Sequence, residues 1–182
     1  MKMQTRTITL TAVFTAIMIL FSQIAVPIPF LPVPFTLSLA AVFLASALLE
    51  MKYAVLVQII YIALGLAGLP VFSKFGSGLT ALLGPTGGYI MAYPFMALLT
   101  GCILRLRQKP SFLLTFSAML CGLAFCYLAG TLWLAFQLQK TFLQALMMGV
   151  IPFVIPDLIK AGLCALLAIR VRNRLRLSKA AA

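Results

Sequence analysis

Histidine does not occur in this 182-residue chain, and aspartate and glutamate together occur twice, as Glu50 and Asp157. Each absence removes a class of chemistry. Without histidine there is no histidine-based catalytic triad and no HExxH metal site. Glu50 stands in a short polar turn and reads as a solvated charge, so Asp157 has no second carboxylate for paired acid–base work. No GxxxxGK[ST] stretch is present to hold nucleotide phosphates. Cys102, Cys121, Cys126 and Cys164 lie in apolar runs without CxxC spacing and read as small buried residues. Catalysis, a metal site and a bound cofactor are therefore not expected. What remains is binding.

Charge is scarce too, at 9% of residues against 64% apolar, where soluble proteins carry about a quarter charged residues. With mean hydropathy at +1.16, there is no polar surface for a soluble domain. The composition predicts an all-α integral membrane protein, a single domain over residues 1–182, set as a multi-pass protein in the cytoplasmic membrane. The net charge of +12 does not point to nucleic acid. Its positives fall in short breaks between apolar runs and in a tail of Arg170, Arg172, Arg174, Arg176 and Lys179, as topology signals do. The partner of most of this surface is the lipid bilayer.

Six apolar segments qualify as transmembrane helices: Thr7–Ala25, Phe35–Leu49, Tyr53–Leu69, Thr80–Leu104, Phe112–Leu134 and Gly149–Ile169. The first resembles a signal peptide, with Lys2 and Arg6 before it, but it is long enough to span and is expected to be retained. Glu50-Met51-Lys52 alone separates the second and third, which predicts a tight helical hairpin. Placing both termini in the cytoplasm puts Lys2, Arg6, Lys52, Arg105, Arg107, Lys109 and the five tail positives inside. Lys74 and Lys140 then fall outside, and Lys160 lies within a span. The positive-inside rule selects this orientation.

Two connections carry unusual residues. Pro27, Pro29, Pro32 and Pro34 crowd eight positions and exclude helix there; the segment reads as extended, either a connector or a stiff lid over a ligand site. Glycines at Gly76, Gly78, Gly84, Gly87 and Gly88 weaken helix around the fourth span. They allow either close helix packing, for which Gly84 and Gly88 have GxxxG spacing, or backbone exposed to a substrate.

Asp157 lies in an otherwise apolar stretch, with Pro152 and Pro156 before it and Lys160 three residues on, on the same helical face. A lone carboxylate at the centre of a span costs about 2.5–3.5 kcal/mol on insertion scales, so it needs a partner. The prolines predict that the sixth helix kinks or begins anew beside the pair, as broken helices do in transporters. The pair reads either as a ligand site, offering an acceptor and a donor to one polar molecule, or as an internal staple between helices.

Several blocks together resemble the BioY family, the substrate-binding S components of energy-coupling factor (ECF) transporters that import biotin. They are Pro32-Val-Pro-Phe-Thr36, Tyr61-Ile-Ala-Leu-Gly-Leu-Ala-Gly-Leu-Pro-Val-Phe72, Leu82-Leu-Gly-Pro-Thr-Gly-Gly-Tyr89, and Ile155-Pro-Asp157 with Lys160. Two positions depart from the family pattern: Ser38 stands in place of glutamine, and Glu50-Met-Lys-Tyr53 in place of a glycine-rich basic turn. The resemblance implies an S-component-like bundle that captures biotin with high affinity and brings it across the membrane. It implies as partners a T component and two ATPase subunits that supply the absent nucleotide chemistry, with homo-oligomers also possible. An S component for another vitamin, a small membrane enzyme and a structural subunit are the competing readings. For biotin, Asp157 would accept from the ureido N–H groups, while Lys160 would donate to the ureido oxygen or hold the carboxylate tail. Tyr89 and Tyr93 are candidate walls, Thr36, Gly84, Thr86 and Gly87 further candidates for substrate contact, and Lys74 a candidate for the tail. Ala12 and Ala16 resemble the AxxxA element through which S components dock on the T component.

Overall fold

Helices make up most of the computed structural model, which describes residues 5–107 and 111–180, with side chains as far as Asn173. Lys2 and Lys109, both used in the charge count, lie outside the described residues. The first helix, α1 (Thr5–Gln23), carries threonines through an apolar run without stranding their hydroxyls. Thr9, Thr11 and Thr15 each donate to the carbonyl four residues back at 2.9–3.0 Å, which satisfies them where no water is at hand. At its end Gln23 latches a distant loop. Its Nε2 donates to the carbonyls of Pro70, Val71 and Phe72 at 3.2, 3.0 and 3.1 Å, and its Oε1 accepts from the Phe75 amide at 3.1 Å.

The chain then becomes extended. Strand β1 (Ala25–Val26) pairs antiparallel with β2 (Phe35–Thr36), with Ala25 opposite Thr36 and Val26 opposite Phe35. All four prolines of the 27–34 segment fall in the loop between these strands, where their missing N–H groups have no ladder to break. Phe30 in that loop is 99% exposed with φ at 66°.

The second predicted span therefore begins later than Phe35. Helix α2 covers Ser38–Leu48 and α3 covers Met51–Leu66, joined by the expected tight turn at Leu49 and Glu50. At 11 and 16 residues they are about 16 and 24 Å long, short of the roughly 30 Å hydrocarbon core. Among the described residues, four stretches are long and apolar enough to cross a membrane unaided: Thr5–Gln23, Gly87–Arg105, Phe112–Leu138 and Phe142–Asn173. A count of six thus depends on the two short helices. Val42, Phe43 and Ala45 of α2 are almost wholly buried, so protein rather than lipid surrounds that helix.

The predicted fourth span, Thr80–Leu104, is broken. Helix α4 (Gly78–Leu82) ends in a turn, and α5 (Gly87–Arg105) starts at the double glycine. Pro85 disfavours helical geometry at Gly84, and the Gly87 amide turns back to the Gly84 carbonyl at 3.0 Å. A Cβ on Gly87 would run into the Leu82 carbonyl, so the turn can close this tightly only around glycine.

Helix α6 (Phe112–Leu138) outruns its predicted end at Leu134 and stops where Gln139 adopts a left-handed conformation, φ 51°. A separate helix not expected from the sequence, α7 (Phe142–Gly149), follows. Its start is explained by a reciprocal capping box between Thr141 and Gln144, at 3.3 and 3.2 Å. After a 3₁₀ turn at Ile151–Phe153, helix α8 runs over Val154–Ala180. The sixth span thus begins anew at Val154 rather than at Gly149. Pro152 breaks the preceding ladder, and Pro156 falls in the first turn of α8, where its missing donor costs nothing.

In the bundle α5 packs along α6 and α3, while α2 lies among α1, α5 and α8. One end gathers the Glu50 turn with Arg105, Arg107 and Arg172. The other holds the β1–β2 loop, the Pro70–Phe75 loop latched by Gln23, and the start of α8. By the charge count the first end is cytoplasmic and the second outward-facing.

Candidate functional site

Asp157 occupies the first turn of α8, where the positive end of the helix dipole favours a carboxylate. Lys160, one turn on, brings its Nζ 2.7 Å from Asp157 Oδ1. The two residues are 2% and 8% exposed. Two other elements complete their surroundings. Tyr127 of α6 donates its hydroxyl to Asp157 Oδ2 at 2.6 Å. Lys160 Nζ also donates to the backbone carbonyl of Thr36 in β2, at 2.6 Å, and lies 3.8 Å from the centre of the Phe35 ring, a cation–π contact. The pair is therefore a staple and more than a staple, since it ties α8 to the strand leaving the proline-rich loop.

The remaining bonding capacity can be counted. An ammonium has three donors and a carboxylate about four acceptor positions. Thr36 and Asp157 take two of the donors, and Lys160 and Tyr127 take two of the acceptor positions. One charged donor and about two charged acceptor positions stay available to a ligand.

They lie on the wall of a partly open cavity with about 400 Å³ of unfilled space, some of it open to solvent. Its walls are Val33, Pro34, Thr36 and Leu39 on the loop side, Tyr89 and Tyr93 from α5, Cys126 and Tyr127 from α6, and Gly149 and Phe153 beside α8. A second chamber of about 340 Å³ shares Val33, Pro34, Thr36, Tyr89 and Tyr93 and adds Ser38, Tyr61, Ser73, Thr86 and Ile90. The first chamber combines one ion pair with rings and aliphatic side chains; the second is rich in hydroxyls. Pro94 lies inside α5, and its missing N–H leaves the Ile90 carbonyl without its usual helical partner. Tyr89 is fixed by donating to the Gly149 carbonyl at 3.2 Å.

The structure brings Asp157, Lys160, Thr36, Tyr89 and Tyr93 together around the first chamber and places Thr86 on the second. Gly84 and Gly87 are not wall residues: the Gly84 carbonyl accepts from Trp133 Nε1 at 2.9 Å, and Gly87 packs on Leu82. Lys74 is exposed in the Ser73–Phe75 turn, and its neighbour Ser73 reaches the wall instead. Ala12 and Ala16 are exposed on α1 beside an apolar groove shared with Leu56, Ile60 and Leu64 of α3. Sequence reasoning missed Tyr127, Leu39, Phe153 and Tyr61, whereas Pro34 belongs to the segment read as a connector or a lid. Tyr127 carried a readable signal, a hydroxyl in the middle of an apolar run that has to find a partner; the others did not differ from ordinary core residues.

The sequence profile of the BioY family matches residues 1–177. The probable biotin transporter BioY of Pyrococcus horikoshii is 38% identical over 171 residues, covering 94% of this chain and 99% of its own length. The biotin transporter BioY of Thermotoga maritima is 37% identical over 161 residues, covering 88% of this chain and 92% of its own. The crystal structure of the S-component for biotin from an ECF-type ABC transporter matches the fold with a TM-score of 0.87 at 31% identity, over 94% of this chain and 95% of that one. Another S component of a bacterial ECF transporter reaches a TM-score of 0.52 at 20% identity, over 96% and 97% of the two chains, a likeness of fold alone. With its apolar helices, its buried ion pair and these matches over nearly its whole length, this multi-pass protein of the cell membrane belongs to the BioY family.

Proposed function

We propose that this chain captures biotin from the outward-facing side of the membrane and is the substrate-specific subunit of an ECF transporter. The observation that carries the reading is the buried Asp157–Lys160–Tyr127 group, with an unused charged donor and unused charged acceptor positions beside a partly open cavity, in a chain of this family. The ureido ring of biotin offers two N–H donors and one carbonyl. Asp157 takes the N–H groups and the third donor of Lys160 takes the carbonyl, leaving no buried charge without a partner. Tyr89, Tyr93, Leu39 and Phe153 cover the apolar ring edges, and the tail extends into the hydroxyl-rich chamber of Ser38, Ser73 and Thr86. Biotin is cargo, bound and released unchanged. The Lys160–Thr36 bond makes the strand leaving the proline-rich loop part of the site.

Import requires energy that this chain has no motif to extract, so a T component and two ATPase subunits are its proposed partners. The α1 face with Ala12 and Ala16 is the proposed contact, because alanines there let a partner helix approach closely. The test is uptake of labelled biotin by cells lacking their own transporter, expressing this chain with or without the T and ATPase subunits. Uptake with all subunits present is expected. No uptake in that condition, with the complex assembled in the membrane, would overturn the reading.

A further inference from the structure

We propose that the cytoplasmic end of the bundle, remote from the biotin chambers, carries a site for the phosphate headgroup of an anionic phospholipid. There α2 stops at Leu48, while α5 continues to Arg105 and α8 runs past Arg172. The early stop leaves a recess under the Leu49–Glu50 turn, with about 770 Å³ of unfilled space open on one side. Arg105, Arg107 and Arg172 line it, against the single negative charge of Glu50. Glu50 lies 3.5 Å from Lys52, and among the described residues neither Arg105 nor Arg107 has an ion-pair partner. Leu48 and Leu104 supply an apolar wall beside the arginines.

Charge on one wall and hydrocarbon on the other is what a phospholipid presents in complement. Guanidinium forks hold phosphate oxygens in pairs, and basic pockets between helices on the cytoplasmic side suit anionic headgroups. The recess lies about 22 Å along α8 from Asp157, taking 1.5 Å per residue, so biotin binding reports folding independently of it.

Native mass spectrometry of the full chain, released from nanodiscs of phosphatidylcholine containing a minority of phosphatidylglycerol, tests the site. The wild-type protein is expected to retain phosphatidylglycerol over phosphatidylcholine, a comparison that needs no variant. R105Q with R107Q should weaken that retention by about tenfold or more. R6Q with R170Q removes the same charge from the same end outside the recess and should leave it unchanged. Millimolar inorganic phosphate should not displace the lipid. No preference for phosphatidylglycerol, equal losses in both double variants, or displacement by inorganic phosphate would each overturn the proposal. So would an R105Q/R107Q protein that keeps its lipid but no longer assembles with the T and ATPase subunits, which would assign the recess to a protein partner.

Discussion

Replacing Asp157 by asparagine keeps the shape of the side chain and removes its charge. In the wild-type protein the carboxylate accepts from Lys160 at 2.7 Å and from Tyr127 at 2.6 Å. Asparagine offers one carbonyl oxygen and an amide that cannot accept, so one of these donors loses its partner. Lys160, 8% exposed, also loses its counter-charge. Breaking a buried ion pair costs about 3–5 kcal/mol where the pair has no other support; here the Thr36 carbonyl and the Phe35 ring retain part of it, so the fold survives with a lower denaturation temperature. Ligand binding suffers more specifically. A hydrogen bond to a charged group contributes about 1.5–3 kcal/mol, so losing one charged acceptor for the ureido N–H groups weakens biotin roughly 10- to 150-fold. Isothermal titration of detergent-purified Asp157→Asn, with helicity checked by circular dichroism, measures this. Wild-type affinity in the folded variant would refute the assignment of Asp157 to the ligand.

Tyr127→Phe removes the second donor to Asp157 while preserving the ring that lines the cavity; titration should show biotin weakened a few-fold, about 1 kcal/mol. Ala12→Trp with Ala16→Trp should leave biotin affinity nearly intact and abolish copurification with the T component and ATP-driven uptake, because the indoles fill the α1–α3 groove. In a protein freed of its native cysteines, a cysteine next to Lys140 should react with an impermeant thiol reagent from outside intact cells, and one next to Arg107 should not. The opposite labelling pattern would invert the topology.

Much of the site was legible because a membrane makes charge conspicuous. Asp157 stood out as one of two carboxylates, Lys160 followed from helical spacing, and the prolines before them predicted that the helix begins anew beside the pair, although the span was placed from Gly149 and α8 starts at Val154. The hairpin at Glu50 and the extended loop over 27–34 followed from local chemistry alone. What stayed hidden depends on contacts distant in the chain. The Thr36 carbonyl that holds Lys160 lies 124 positions away, and a backbone acceptor leaves no mark on residue type. The Gln23 latch is equally silent, since one glutamine at a helix end looks like a solvated polar residue. Glycine is ambiguous by nature: the block from Gly84 to Gly88 fits both close packing and backbone contact with a ligand, and only the positions of Leu82 and Trp133 show which neighbours it packs against. The lengths of α2 and α3 were overestimated because hydropathy continues through residues that tertiary structure turns into strand and loop.

Selection of biotin by the chamber around Asp157 and Lys160 is measured by equilibrium binding of radiolabelled biotin to the purified chain, in competition with unlabelled biotin, riboflavin and thiamine. Saturable binding to one site per chain is expected, displaced by unlabelled biotin and not by the other two vitamins. Absence of saturable binding to the folded protein, or displacement of biotin by riboflavin or thiamine at comparable concentration, would contradict it.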